Sequence, residues 1–381
     1  MTPPDGASFH PRDRLEGSEQ QVSVGRLVLG APLSLTGRYG FLGRLAAAGL
    51  RQAVQDARTL GGIRIGEERL APELHFVDDG GTRTGVRRAL EEVAEANLLV
   101  GPYGSDLIDE AARWAAERGR VLWNHGGSAD EVERLPGVVS ISSPASRYLG
   151  PVLEALADSL PGARVLVATR RGLFGRSAVV GARDAIDRLG MTLLGTVEPD
   201  EAPEAAADAD VVLAAGTFGD DVELVRRLRP RPAAVAAVAA GISLFGPALG
   251  PGAEGILGPS QWEEGARFAV DLGPRQADAV RALRAEVMPT LRLGPGGVDY
   301  PAAQAYAAGL VAMRCAEEAG TTQDQPLLET ARRLRRTTFF GRFGLGDDNR
   351  QEDHEILVVQ WQEGVKRIVW PPSLAEASPI L

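Results

Sequence analysis

Val28-Leu29-Gly30-Ala31-Pro32-Leu33-Ser34-Leu35-Thr36-Gly37 is an apolar run that breaks off into small, hydroxyl-bearing residues. Two later runs behave alike. Leu98-Leu99-Val100-Gly101 opens into Pro102-Tyr103-Gly104-Ser105, and Val121-Leu122-Trp123-Asn124 opens into His125-Gly126-Gly127-Ser128. Strands that carry glycine and serine to their carboxyl ends point to an open parallel sheet, because such sheets bind ligands just beyond those ends.

Working outward from these runs, short apolar stretches alternate with amphipathic ones, the pattern of repeated strand-helix units. The spacing predicts strands at Leu27–Pro32, Glu73–Val77, Leu98–Val100, Val121–Asn124 and Val138–Ser142, with helices near Gly40–Leu60, Thr84–Ala96 and Ser105–Arg118. A second series predicts strands Arg164–Thr169, Thr192–Val197, Asp210–Ala215 and Ala233–Val238, with helices Arg147–Ser159, Phe174–Leu189 and Asp220–Leu228. Helices near Pro274–Met288, Pro301–Ala319 and Pro326–Thr337 follow, and then a hairpin, His354–Gln360 with Lys366–Trp370. Right-handed connections make these two doubly wound, Rossmann-like α/β sheets.

Composition narrows the function. The 381 residues carry 41 basic and 51 acidic side chains, a net charge of −10, which argues against nucleic acid or an anionic membrane as partner. No apolar run is long enough to insert in a membrane. Residues 1–23 are polar, rich in Pro, Gly and charge, and read as disordered, without a signal peptide. As written, the chain therefore reads as cytoplasmic, and extracytoplasmic if a leader precedes it. The single cysteine, Cys315, sits in an apolar helical pattern and reads as buried and inert.

Chemistry is scarce, and that too is informative. His10, His75, His125 and His354 are scattered and make no metal-ligand spacing. Asp78-Asp79 reads as a capped turn rather than a cation site. His125-Gly126-Gly127 would suit an esterase oxyanion loop, but no nucleophile elbow accompanies it. Thr36–Gly43 lacks the ending of a phosphate loop. No enzyme, cofactor or metal is expected. The two glycine-serine turns, with Tyr103 and His125 in them, are candidates for holding a small ligand. Ser105 reads both as a helix cap and as a carboxylate ligand at the amino end of that helix. Ser128 begins a capping-box pattern with Glu131, while Gly126-Gly127 leaves the backbone open to close approach. Phe174, Phe218, Trp262 and Tyr300 fall at strand-helix junctions, where core packing competes with a place on an interdomain cleft.

The order Gly30-Ala31-Pro32-Leu33-Ser34-Leu35-Thr36-Gly37, Gly61-Gly62-Ile63, Val77-Asp78-Asp79 and Val100-Gly101-Pro102 resembles the leucine/isoleucine/valine-binding protein family. These are type I periplasmic solute-binding proteins of branched-chain amino acid ABC transporters. Gly172-Leu173-Phe174-Gly175, Ala253-Glu254-Gly255-Ile256 and Tyr306-Ala307-Ala308-Gly309 fit as well, so the resemblance spans Val24 to Trp370. It implies two lobes joined by three crossovers, near Ser140–Arg147, Glu254–Gln261 and Thr337–Gly344, closing on ligand by hinge bending. Residues 24–143 with 259–337 would form one lobe, 144–258 with 338–372 the other, and 373–381 a tail.

The resemblance also implies site roles. Ser105 and the Gly127-Ser128 turn would meet the ligand carboxylate. Leu42 falls where amino acid binders often place an aromatic wall, and Phe174 and Phe218 fall where tyrosines close over the ligand. The acidic residue that such proteins offer to an ammonium is missing from Val235–Gly241. The expected ligand is therefore a small carboxylate or amide with an aromatic or branched body. Asp220, Asp221 and Glu263 stand as possible substitutes for the missing acid. Partners would be a small molecule together with an ABC permease or, if the chain is a cytoplasmic sensor, a regulatory protein.

Overall fold

A computed structural model describes residues 25–288 and 297–381, so the expectation of disorder for residues 1–23 lies outside the described residues. The chain begins with β1 (Arg26–Leu33), α1 (Gly40–Thr59), β2 (Ile63–Ile65), β3 (Glu68–Asp78), α2 (Arg83–Glu92), β4 (Leu98–Val100), α3 (Ser105–Glu117), β5 (Leu122–Asn124), α4 (Asp130–Glu133) and β6 (Val138–Ser140). These strands form one sheet in the order β2-β3-β1-β4-β5-β6, parallel except for the β2–β3 pair. The reversal at β1 makes β1 and β4 neighbours, the switch point beyond which ligands bind. After Arg26, β1 is apolar because both its faces are covered: Leu27, Leu29, Ala31 and Leu33 enter one core while Val28 packs against another.

The second sheet follows from α5 (Gly150–Leu156), β7 (Arg164–Thr169), α6 (Leu173–Arg188), β8 (Thr192–Val197), α7 (Ala202–Ala205), β9 (Val211–Ala215), α8 (Phe218–Arg227), β10 (Ala234–Ala237), α9 (Phe245–Leu249) and β11 (Leu257–Ser260). The chain then returns with α10 (Gln276–Val287), α11 (Tyr300–Ala319), α12 (Asp324–Arg333) and the ribbon β12 (Arg336–Thr338) with β13 (Gly341–Phe343). It ends with β14 (Leu357–Gln362) and β15 (Val365–Trp370), which complete a sheet ordered β15-β14-β11-β10-β9-β7-β8. Their turn, Glu363-Gly364, has positive φ at both residues, the geometry that matches strand twist in a two-residue hairpin.

α11 explains why the first lobe tolerates so many alanines. It is apolar nearly all round, and Ala302, Ala303, Ala305, Ala307, Ala308, Ala312, Ala316 and Cys315 are all buried. It lies so near α1 that a Cβ on Gly49 would come within 2.0 Å of the Ala302 carbonyl oxygen. The packing is set by small residues, and a larger side chain at Gly49 would force the helices apart.

Two features depart from the sequence expectation. Residues 63–70 form a hairpin onto β3 that the apolar pattern did not announce, because its strands are only half-buried. The third connection comes later than Thr337–Gly344. Phe339, Phe340, Phe343 and Leu345 bury themselves in the first core, and the chain joins the second sheet only at Leu357. Three phenylalanines in five residues find their apolar surroundings in the first lobe before the chain crosses.

Candidate functional site

At the end of β4 the chain passes through Tyr103, which lies beside Gly126 in a parallel bridge, and the Gly104 amide donates to the Gly126 carbonyl at 2.9 Å. Gly104 has φ of 106°, and a Cβ there would fall 2.7 Å from the Tyr39 ring. Glycine is required on both counts. It is also Gly104, not Ser105, that caps α3, so Ser105 is the first helical residue and its hydroxyl is released from capping. That hydroxyl accepts from the Ala129 amide at 3.2 Å and keeps its own proton to donate. The Leu107 and Ile108 amides donate to the Gly104 carbonyl at 3.0 and 2.9 Å, which leaves those of Ser105 and Asp106 without an acceptor in the helix, and the helix dipole adds partial positive charge there.

The second turn is shaped by Asn124. Its carbonyl oxygen accepts from the amides of Gly126 and Gly127 at 3.1 and 2.9 Å, and its amide donates to the Gly127 carbonyl at 2.6 Å. Gly127 rests on Ile108 of α3, where a Cβ would sit 2.6 Å from that side chain. Ser128 does not form a capping box. Ala129 is the cap residue of α4, without a side-chain bond, and the Ser128 hydroxyl instead lies 3.0 Å from that of Tyr148. Thus Tyr103, Ser105, Gly127 and Ser128 are brought together at the carboxyl ends of β4 and β5.

Tyr148 carries this corner to the second lobe, since its ring meets that of Phe174 edge-on at 5.3 Å. The lobes also touch directly. The Ser177 hydroxyl accepts from the Asp130 amide at 3.1 Å, and Arg176 pairs with Glu131 at 3.0 Å. α6 packs against α4 across the lobes.

The other sequence candidates divide. Leu42 is half-buried on the first turn of α1 against the first core, and Phe218 opens α8 partly exposed. Trp262 is wholly inside the first core. Its indole N–H donates to the Phe339 carbonyl at 2.9 Å and its ring packs edge-on to Phe339. A tryptophan so enclosed supports the lobe and does not face a ligand. His125 is equally buried, burial lowers its pKa to about 4, and its ring nitrogens make no hydrogen bond of ordinary geometry.

The three acids that might replace the missing one each serve another partner. Asp220 binds Arg170 through two contacts of 2.7 and 3.0 Å, which hold its pKa at about 2. Asp221 accepts from the amides of Gly216 and Ala239 at 2.8 and 3.0 Å, so it lies behind the β10 loop and shapes it. Its complete burial raises its pKa to about 7. Glu263 pairs with Lys366 at 3.0 Å, and Lys366 also reaches Asp299 and the Gly241 carbonyl. Asp78 and Asp79 do form the capped turn expected, receiving Leu35, Thr36, Gly80, Gly81 and the Ser34 hydroxyl. Among the described residues no group of three His, Cys, Asp or Glu is placed to hold a metal.

Sequence reasoning named Tyr103 and Tyr300 but missed Tyr39 and Tyr148, and with them the gathering of these phenols. Tyr39 lies over Gly104 and packs against Tyr103 with ring centres 5.8 Å apart, while Tyr300 at the start of α11 interacts with Tyr103, and burial raises the pKa of both phenols. The signal was available: the chain has only five tyrosines, and all but Tyr306 gather here.

A family model described as periplasmic binding protein matches residues 27–366, and the chain belongs to that family of non-enzymatic solute-binding proteins. No curated protein sequence matches it. Among solved structures it is similar to the leucine binding protein LivK of Thermotoga maritima, with 16% identity over 90% of this chain and 97% of that one, at a TM-score of 0.75. It is similar to LivJ of Streptococcus pneumoniae in complex with isoleucine, with 14% identity over 90% and 97% of the chains, at 0.74. A solute binding protein of an ABC transporter from R. palustris, in complex with benzoate, is 17% identical over 94% and 98%, at 0.73. These likenesses establish a type I periplasmic binding protein fold, and no helix among the described residues is long and apolar enough to cross a membrane.

Proposed function

We propose that this protein is the solute receptor of an ABC transporter and that its ligand is a small carboxylate with an aromatic or branched apolar body, held without a partner for an ammonium. One observation carries the reading: Asp220, Asp221 and Glu263 are each bound to other groups, and Val235–Gly241 offers no acid. An ammonium buried here would stand unpaired, at a cost of several kcal/mol. A carboxylate, by contrast, meets the Ser105 hydroxyl and the free amides at the start of α3. The similar proteins above include binders of isoleucine and of benzoate, so both ligand types fit this fold.

Phe174 and Phe218 supply apolar cover from the second lobe, and Tyr103 and the Gly127-Ser128 turn line the first. The two moving bodies in this reading are residues 25–143 with 259–288 and 297–345, and residues 144–258 with 346–372. Ligand that touches both bodies only when they close shifts the equilibrium by its differential affinity. Isothermal titration tests the reading: tight binding of arylcarboxylates supports it, and tight leucine binding without any arylcarboxylate binding overturns it.

A further inference from the structure

Lys366 is the single lysine of this chain; every other basic residue among the 41 is arginine. It lies on β15 with its side chain buried, and three acceptors surround its ammonium. These are the Gly241 carbonyl at 2.9 Å, Glu263 Oε1 at 3.0 Å and Asp299 Oδ1 at 3.4 Å. A compact ammonium with three donors suits three acceptors around one point, whereas a planar guanidinium does not. Asp299 in turn receives the Ser243 amide at 2.8 Å and the Ser243 hydroxyl at 2.7 Å. The four residues come from both lobes. Lys366 lies in the second sheet and Ser243 on the chain leaving its strand β10. The neighbours of Glu263 and Asp299, namely Trp262, Val298 and Tyr300, are buried in the first core. Ile242 and Leu244 flank Ser243 and pack against that first core as well. The charges are thus enclosed within an apolar contact between the lobes. The contact of α4 with α6 is of another kind, since its ion pair, Arg176 with Glu131, is more than half exposed.

We propose that Lys366, Glu263, Asp299 and Ser243 form a permanent fastening between the lobes, so that the cleft opens on the side of α4 and α6 while this side stays joined. The inference concerns how the two lobes move and does not depend on what the ligand is. If the cluster parted at each opening, every closure would have to strip water from two carboxylates and an ammonium. Dehydrating ions is costly even when they end up paired. Each opening would also draw Ile242 out of the first core into water. Both costs would be set against ligand binding, which alone drives the closure equilibrium. A cluster that stays assembled incurs neither. Its position agrees with this role, because Glu263 follows β11 by three residues, close to where the second connection passes between the lobes. A rotation moves least what lies near its axis, and the half-exposed pair between α4 and α6 can part at little cost.

The test is chemical labelling of the full chain without ligand, read by peptide mass spectrometry across a urea series. An amine-acylating reagent reports on Lys366, which carries the one ε-amine present. A thiol reagent reports on Ser177→Cys, a position buried against the Asp130 amide on the α4–α6 side, with Cys315 itself buried. The Lys366 reading is also taken on the wild-type chain, so it does not depend on the variant folding. Lys366 is expected to react about a thousandfold or more slowly than in the unfolded chain, with a urea dependence equal to that of global unfolding. The introduced thiol should react in native buffer, with little dependence on urea. Acylation of Lys366 in native buffer without that urea dependence would show that the cluster parts as the lobes open, and would overturn the inference. Equal protection of the two positions would overturn it as well, because the α4–α6 side would then not be the one that opens. Neither result bears on which acid the protein binds.

Discussion

The hydroxyl of Ser128 lies 3.0 Å from that of Tyr148, and through this contact the corner proposed to hold the ligand is joined to every connection between the lobes. Tyr148 also accepts from Gln261 Nε2 at 2.8 Å. Gln261, on the second connection, clasps the backbone of Ser143 on the first, receiving its amide at 3.0 Å and donating to its carbonyl at 3.1 Å. Ser143 Oγ then meets His354 Nδ1, on the third, at 2.9 Å. A chain of hydrogen bonds thus runs from the site across all three connections.

Tyr148→Phe breaks that chain at its first link while preserving the ring against Phe174. Loss of a buried hydrogen bond costs about 1 kcal/mol, so ligand affinity is expected to fall about fivefold. Calorimetry on the variant checks this, and an unchanged affinity would show that Ser128 binds ligand independently of the connections.

Gly104→Ala is expected to be far more damaging than its size suggests. The backbone conformation is unfavourable to any side chain, and the added methyl would meet the Tyr39 ring. The two effects together should cost about 2 kcal/mol or more and displace Ser105, so that thermal midpoint and ligand affinity fall together.

How much of this was legible in the sequence depends on how local the signal is. The glycine-serine corners could be read directly, because each lies within a few residues of one strand end, and β1, β4, β7 and α11 follow their apolar periodicity. The cap of α3 was displaced by one residue because only the backbone shows that Gly104 adopts a conformation serine avoids. Tyr39 and Tyr148 were hidden because their partners come from segments far away in sequence. Trp262 was ambiguous at its junction, and the ribbon around Phe339 decides its burial.

The pH response is best read as a difference between chains. Burial lowers the His354 pKa from 6.5 to about 4. Between those values the unfolded chain holds a proton that the native ring lacks, so this contribution to stability is lost as pH falls. Asp221 and Glu263, raised to about 7, act oppositely, because there the native chain holds the proton until neutrality. The wild-type profile is flattened as a result. His354→Gln has no proton to gain, so its cost relative to wild type should shrink from about pH 7 to about pH 5, as chemical denaturation would show. A gap that stays constant would contradict a neutral buried His354.

Arg176 and Glu131 pair across the lobes, but both are more than half exposed. Arg176→Ala is therefore expected to leave the thermal midpoint almost unchanged and to weaken ligand binding less than about fivefold, with the effect vanishing at high salt. Titration at two ionic strengths measures it.

The central claim is that the site welcomes a carboxylate and has nothing to offer an ammonium. The most direct measurement compares phenylalanine with 3-phenylpropanoate, the same molecule without its ammonium, by calorimetry on the full chain. The account predicts that the deaminated acid binds at least about a hundredfold more tightly. Equal affinity, or tighter binding of phenylalanine, would contradict it.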